Sequence, residues 1–284
     1  MPPGDELWFD NKSNDDLVQD KIEAAGSKLK SLTLLSQSFL LSGRLYQLSL
    51  PNLKELVIPS LYFFDQPEGW KFLHSLTNLE ILVAEYTEAK DSILQGLYQA
   101  PWWEKLTQLE LKLASLKDSQ LWQDLWLDRS LDLRILCLFF LNRDLAKTVL
   151  SSKLPRLEYL ILGTELGDDF LSQLSEADLP LLTDLDLSHA AVTEKATLDF
   201  LNASRPGLPN LARVRKRFFS EQQIESYDWN GSSVGYVNEE LSDQEIQEKY
   251  FAGTGLKVLP ASEQLNIRGQ RQNRLRPLER PAPR

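Results

Sequence analysis

The sequence predicts an α/β solenoid, a horseshoe whose parallel sheet lines the concave side with helices outside. Three observations carry this. A pattern L-x-x-L-x-x-L-x-L recurs along the chain, most completely as LPLLTDLDL (179–187). Its third leucine returns at intervals of 24 to 29 residues. The segments between these points have helical periodicity. A short strand followed by a helix cannot bury its apolar face alone, so successive units must stack into one continuous core.

Taking the third leucine of each unit as an anchor, LKSLTL supplies Leu32, LPNLKELVI Leu56 and LTNLEILVA Leu82. WEKLTQLEL supplies Leu109, with Trp103 in the first leucine's place, and SLDLRILCL supplies Leu136. LPRLEYLIL, LPLLTDLDL and LPNLARVRK supply Leu160, Leu185 and Val214. The spacings are 24, 26, 27, 27, 24, 25 and 29, about eight units over residues 27–219. Within x-L-x-L-x, alternate side chains face the core and the others face out.

This leucine spacing and period resembles that of leucine-rich-repeat proteins. The unit lengths and helical inserts are similar to the ribonuclease-inhibitor-like class. The whole, with a Trp- and Asp-containing segment after the last unit, also looks like bacterial cytosolic leucine-rich-repeat proteins of unassigned function. The resemblance implies a scaffold that binds along its concave sheet. One departure concerns the Asn that many such repeats carry five residues after the anchor. Those positions here hold Gln37, Leu61, Thr87, Ala114, Leu141, Glu165, Ala190 and Phe219, so that Asn ladder is absent.

The flanks complete the expected architecture. Residues 1–26 read as a helical N-terminal cap: Asn14 caps, Asp15 and Asp16 favour the positive helix end, Leu17 and Ile22 offer an apolar stripe and Gly26 stops it. Outer helices are expected at 118–128, with Leu121, Trp122, Leu125 and Trp126 on one face, at 167–178 and at 193–204 behind Thr193. Of the adjacent pair Trp102 and Trp103, one is expected inside and the other at the rim. Residues 220–260 read as a C-terminal cap containing a helix over 242–253, begun by the capping box Ser242/Glu245. The Arg-, Gln- and Pro-rich composition of 261–284 predicts disorder.

The net charge of −10 disfavours general nucleic-acid binding, which needs a basic footprint. The charge is uneven: Leu265–Arg284 holds six Arg and one Glu, a net of +5, leaving −15 on the rest. That tail is therefore the one stretch that could bind nucleic acid, an acidic protein or a membrane surface, although it has no interleaved aromatic residue; the favoured reading is a solvated, disordered end that folds back on the acidic body. A single cysteine, Cys137, allows no disulfide within the chain. With an acidic start and no apolar span, this points to a cytoplasmic protein.

The expected functional surface is the concave sheet. Register places Val57, Val83, Glu85, Glu110, Ile135, Phe139, Tyr159, Ile161, Asp184, Asp186, Arg213 and Arg215 on it. Ile135, Cys137, Phe139, Tyr159 and Ile161 would form an apolar patch in the middle, open to a protein partner unless N- or C-terminal segments fold over it or the horseshoe is curved tightly enough for the side chains to pack together. Glu55, Glu85, Glu110, Asp184 and Asp186 would orient a basic partner. Asp184 and Asp186 face Arg213 and Arg215 on the next strand, which reads as a cross-strand ion-pair ladder rather than a metal or acid/base site. His74 and His189 lack metal-ligand spacing, and GTG (253–255) is a turn rather than a phosphate-binding loop. No metal and no cofactor are expected. The reading is a non-enzymatic scaffold. The alternatives are an enzyme using the Asp184/Asp186 region with the C-terminal cap, and a nucleic-acid or anionic adaptor acting through residues 265–284.

Overall fold

In a computed structural model, residues 5–258 are described except 11, 89, 115–119, 142, 165, 217–218, 227–232, 241, 251, 253 and 255–256. For 85–86, 114, 140–141, 164, 219–226, 233–240 and 249–250 the description covers the backbone only. The tail expected to be disordered, 261–284, lies outside the described residues, as does Gly253.

Ten strands form one parallel sheet. The first nine are β1 (Glu6–Phe9), β2 (Ser31–Leu34), β3 (Glu55–Ile58), β4 (Ile81–Glu88), β5 (Gln108–Ala114), β6 (Ile135–Leu141), β7 (Tyr159–Thr164), β8 (Asp184–Asp186) and β9 (Arg213–Arg215). They follow one another in chain order, and the two-residue strand β12 (Lys257–Val258) closes the far edge against β9. The eight anchors fall in one register row from Leu32 to Val214, extended by Leu7 at one end and Val258 at the other. Every anchor from Leu32 to Val214 is fully buried.

Helices return the chain from one strand to the next: α1 (Asp15–Ala25), α2 (Gln37–Leu41), α3 (Pro67–Ser75), α4 (Asp91–Tyr98), α5 (Gln120–Leu127), α6 (Arg143–Leu150), α7 (Asp169–Glu176) and α8 (Glu194–Asn202). Their apolar faces join the strand anchors in a single core. Helix α1 starts as its sequence dictates: the Asn14 side chain accepts the N–H of Asp16 at 2.9 Å and of Leu17 at 3.2 Å, and Gly26 stops it at φ +48°. Its buried stripe is Val18 and Ile22, one turn apart, whereas Leu17 points to solvent.

Residues 1–26, expected to supply a helix, also carry β1, whose backbone pairs with β2. The segment ELWF is too short and too mixed in polarity to announce a strand, and it is recruited by the open edge of β2. After β9 an antiparallel hairpin, β10 (Phe219–Ser226) with β11 (Ser233–Glu240), precedes α9 (Asp243–Tyr250). The capping box forms: Ser242 N–H donates to Glu245 Oε2 at 2.8 Å, and Ser242 Oγ accepts the Glu245 N–H at 3.3 Å. Ile246 of this helix enters the core.

Both Trp102 and Trp103 are buried, contrary to the expectation that one reaches the rim. Each indole N–H has a carbonyl inside: Trp102 donates to Leu73 O at 2.7 Å and Trp103 to Leu125 O at 3.2 Å. A satisfied N–H removes the main penalty for full indole burial.

An Asn ladder does exist, four residues before the anchor instead of five after it. The side chains of Asn52, Asn78 and Asn210 donate to Ser27 O at 2.7 Å, Pro51 O at 2.8 Å and Pro180 O at 2.6 Å, each in the preceding repeat. Lys105 fills the same slot, donating to Thr77 O at 3.0 Å. Two residues before the anchor, ion pairs link neighbouring repeats: Lys30–Asp5 at 2.9 Å, Lys54–Glu80 at 2.5 Å and Arg134–Glu158 with two bonds of 2.9 Å.

Candidate functional site

Two rows of side chains flank the anchor row on the concave side. The row before it runs Glu6, Ser31, Glu55, Ile81, Gln108, Ile135, Tyr159, Asp184, Arg213, Lys257. The row after it runs Trp8, Thr33, Val57, Val83, Glu110, Cys137, Ile161, Asp186, Arg215. Apolar side chains, interrupted by Gln108 and Glu110 on β5, therefore occupy the centre, acidic ones the strand after it, and basic ones the far edge.

The central patch is not open. Val57, Val83, Cys137, Tyr159 and Ile161 are each 6% exposed or less and form a second buried cluster, separate from the main core. Ile81, Ile135 and Phe139 pack against it and are half-buried. In-register side chains on adjacent parallel strands stand about 4.8 Å apart, so branched and aromatic groups interlock along a row. The least buried part of the patch is thus the rim formed by Ile81, Ile135 and Phe139.

Phe139 anchors a polar-aromatic edge. His189 meets its ring edge-on at a centroid distance of 5.1 Å, and Lys112 Nζ sits 5.5 Å from the same ring. Gly163 makes the approach possible, since a Cβ there would stand 2.7 Å from His189 Cβ. Lys112 and His189 thus belong beside the patch, although the sequence reading gave neither a role in it. The signal was Gly163, a residue without a side chain in an outward position of a strand.

The acidic and basic strands are tied together. The Asp184 carboxylate accepts Arg213 Nε and, at 2.7 Å, the Thr183 hydroxyl. Asp186 accepts the N–H of Ser188 at 2.8 Å and its hydroxyl. Arg215 reaches Asp243 at the start of α9, 3.4 Å away. Pairs in one register are placed for such contacts, and both carboxylates accept hydrogen bonds from neighbouring side chains.

Cys137 lies between Glu110 and Ile161 in its row. Burial first, then the negative Glu110 and Asp186, push its thiol well above the usual range. Such a thiol is a weak nucleophile. Glu110 is buried at 8% exposure and Glu55 half-buried. The Glu85 side chain lies outside the described residues. Among those described, no group of three or more His, Cys, Asp or Glu is gathered as metal ligands. Among the described residues, no helix is long and apolar enough to cross a membrane.

No protein-family model matches the chain, and no curated protein matches it. Solved structures do. The yeast Rad7 in its complex with Elc1 is 21% identical, with a TM-score of 0.51 over 70% of this chain and 53% of the other. The chain thus spans about half the length of the Rad7 chain it matches. A Bacteroides fragilis protein is 13% identical, with a TM-score of 0.46 over 74% of this chain and 63% of its own. An internalin from Listeria monocytogenes is 14% identical, with a TM-score of 0.38 over 74% and 66%. With its strand–helix alternation and its single row of buried anchors, the fold is an α/β leucine-rich-repeat solenoid.

Proposed function

We propose that this chain is a non-enzymatic interaction scaffold that takes another protein on its concave sheet. The observation that carries the reading is the second apolar cluster, which holds Ile81, Ile135 and Phe139 at a half-buried rim between carboxylates and cations. A sheet whose face is already packed loses little side-chain entropy on binding. Ile81, Ile135 and Phe139 would supply affinity, with Val57, Val83, Tyr159 and Ile161 as their support. Glu55, Glu85, Glu110, Asp184 and Asp186 would favour a basic partner, and Arg213 and Arg215 would fix its orientation.

Support comes also from Rad7, which shares this fold and was solved in a complex with Elc1. Strand–helix units of 24–29 residues favour the ribonuclease-inhibitor-like class of repeat. The single cysteine fits a reducing, cytoplasmic setting. An enzymatic reading is disfavoured by the tied Asp184 and Asp186 and by the raised Cys137 thiol.

The test is capture of binding proteins from host lysate by the wild-type chain and by Ile81→Asp/Ile135→Asp, with thermal melting to verify folding. A partner held by the wild type and lost by the folded variant is the expected result. Equal capture by both would refute the concave-face reading.

A further inference from the structure

We propose that the open edge of β1 is a dimer interface, where two copies of this chain pair antiparallel about a two-fold axis and join their sheets. This uses the N-terminal end of the solenoid and not the concave face, so it stands or falls apart from the scaffold reading.

The two ends of the sheet differ in what closes them. At the far end, Lys257 N–H bonds inward to Ala212 O at 3.0 Å, so the next N–H, that of Val258, points away from β9. It is not left open: Gln247 Oε1 on α9 accepts it at 2.8 Å. At the near end, Asp5 O accepts Ser31 N–H at 3.0 Å and Phe9 O accepts Leu35 N–H at 2.9 Å. Alternation along a parallel ladder then turns Leu7 to β2 and points the N–H and C=O of Glu6 and Trp8 out of the sheet. Among the described residues, no strand lies beyond β1 and no side chain takes those groups.

The exposed backbone is its own complement. With Leu7 opposite Leu7 of the second copy, Glu6 of each strand faces Trp8 of the other, and each such pair exchanges both of its N–H···O=C bonds. Since the β12 edge is closed, pairing at β1 stops at two copies and does not grow into a filament.

The side chains at this end are apolar where the outer face of a solenoid cap is ordinarily polar. Leu7 continues the anchor row but is only half-buried, whereas every anchor from Leu32 to Val214 is fully buried. A second Leu7 across the axis would supply the missing cover. Trp8 is 42% exposed on the concave side of β1 and Leu17 48% exposed on α1. Asp15 and Asp16 turn toward the next repeat, to Ser38 Oγ at 2.8 Å and Arg44 at 2.5 Å. Helical geometry puts Leu17, Lys21 and Ala24 on the opposite flank, toward the open end. Charge does not oppose the contact: Asp5 and Asp16 are already paired with Lys30 and Arg44, and Glu6 and Lys21 differ in sign.

Sedimentation velocity of the full chain, at concentrations up to about 1 mM, tests this. The wild type should pass reversibly from monomer to dimer with no larger species. Trp8→Lys should weaken the dimer at least about tenfold, as loss of an interface aromatic does. Leu17→Glu, on α1, is the second variant should Trp8→Lys fail to fold, with thermal melting as the check on both. Hydrogen exchange separates edge pairing from side-chain contact alone: the Glu6 and Trp8 amides should be protected in the wild-type dimer and exchange freely in the monomeric variants. A wild type that stays monomeric at about 1 mM, a dimer indifferent to both folded variants, growth beyond two copies, or a dimer whose Glu6 and Trp8 amides exchange freely would each overturn the proposal. None of these outcomes bears on partner capture by Ile81→Asp/Ile135→Asp, which tests the concave face alone.

Discussion

Asp168 reaches across one repeat to hold Thr193: its Oδ1 accepts the Thr193 backbone N–H at 2.6 Å and its Oδ2 the Thr193 hydroxyl at 2.8 Å. Thr193 is the N-cap of α8, with Oγ1 accepting the Ala196 N–H at 3.2 Å. Asp168 precedes α7 without capping it by its side chain, and fixes the cap of the next helix instead. A fixed cap orients the first turn of α8 against α7, so this contact joins two repeats on the outer side.

The same contact sets a pH dependence. The backbone hydrogen bond from Thr193, then its hydroxyl, hold the Asp168 carboxyl below the ordinary carboxylate value, with Lys195 and Lys216 adding to the effect. A group whose pKa is depressed in the folded state stabilises above its unfolded value and loses that contribution as pH falls through the folded value. Asp168→Ala should therefore be less stable than wild type at neutral pH, with the gap closing as pH drops below the usual carboxylate range. Urea midpoints of both proteins across that range decide it. A gap that stays constant into strong acid would show that the Asp168 charge contributes nothing.

The Asn ladder gives a prediction of opposite signs at two positions. Asn78→Ala removes one rung and should cost about 0.5–1 kcal/mol, the net worth of a hydrogen bond near solvent. Leu181 occupies the same slot in its repeat and is 45% exposed. Leu181→Asn should instead be neutral or stabilising, by adding a rung toward the Pro155 carbonyl and removing an exposed apolar group. Chemical denaturation of both variants is sufficient. A destabilising Leu181→Asn would mean that the slot's backbone differs from that at Asn52, Asn78 and Asn210.

The anchors were legible because each demand on them is local: a leucine at a fixed place in each unit buries without help from distant sequence. The outward rows were legible in register but not in exposure. Whether Tyr159 and Ile161 meet solvent depends on Ile135 and Cys137 one strand away, and sheet crowding is not a sequence pattern. Strand β1 escaped because four residues of mixed polarity pair only when an edge is offered. The Asn ladder escaped because it was sought after the anchor, where Ala190 and Leu61 stand, although LPN and LTN mark Asn52, Asn78 and Asn210 plainly.

Trp122 is fully buried, with its ring 5.4 Å from that of Trp126 and its N–H on Leu145 O at 3.2 Å. It spans from α5 to α6, so it joins two repeats as Asp168 does, but through the core. Trp122→Ala should cost about 3–5 kcal/mol from cavity formation. Trp122→Phe should cost less, keeping the ring contact and losing the bond to Leu145. Melting curves that rank the two variants the other way would remove the aromatic packing argument.

Gly96 and Gly207 separate two kinds of close approach. A Cβ at Gly96 would lie 2.2 Å from the Trp70 indole, whereas one at Gly207 would lie 2.0 Å from the Ala177 carbonyl oxygen. Trp70 is a half-buried side chain on α3 that can turn away, at the cost of its packing against α4. The Ala177 carbonyl is backbone at the end of α7 and can move only with the chain, which also carries the Gly207 N–H bond to Ser175 O at 3.2 Å. Gly96→Ala should therefore cost about 1–3 kcal/mol, as overpacking does, and Gly207→Ala more. Trp70→Leu in the same chain should recover part of the Gly96→Ala loss, because the clashing ring is gone; no side-chain change opposite Gly207 can do the same. A double-mutant cycle on Gly96 and Trp70 that shows no coupling would place the strain somewhere other than this contact.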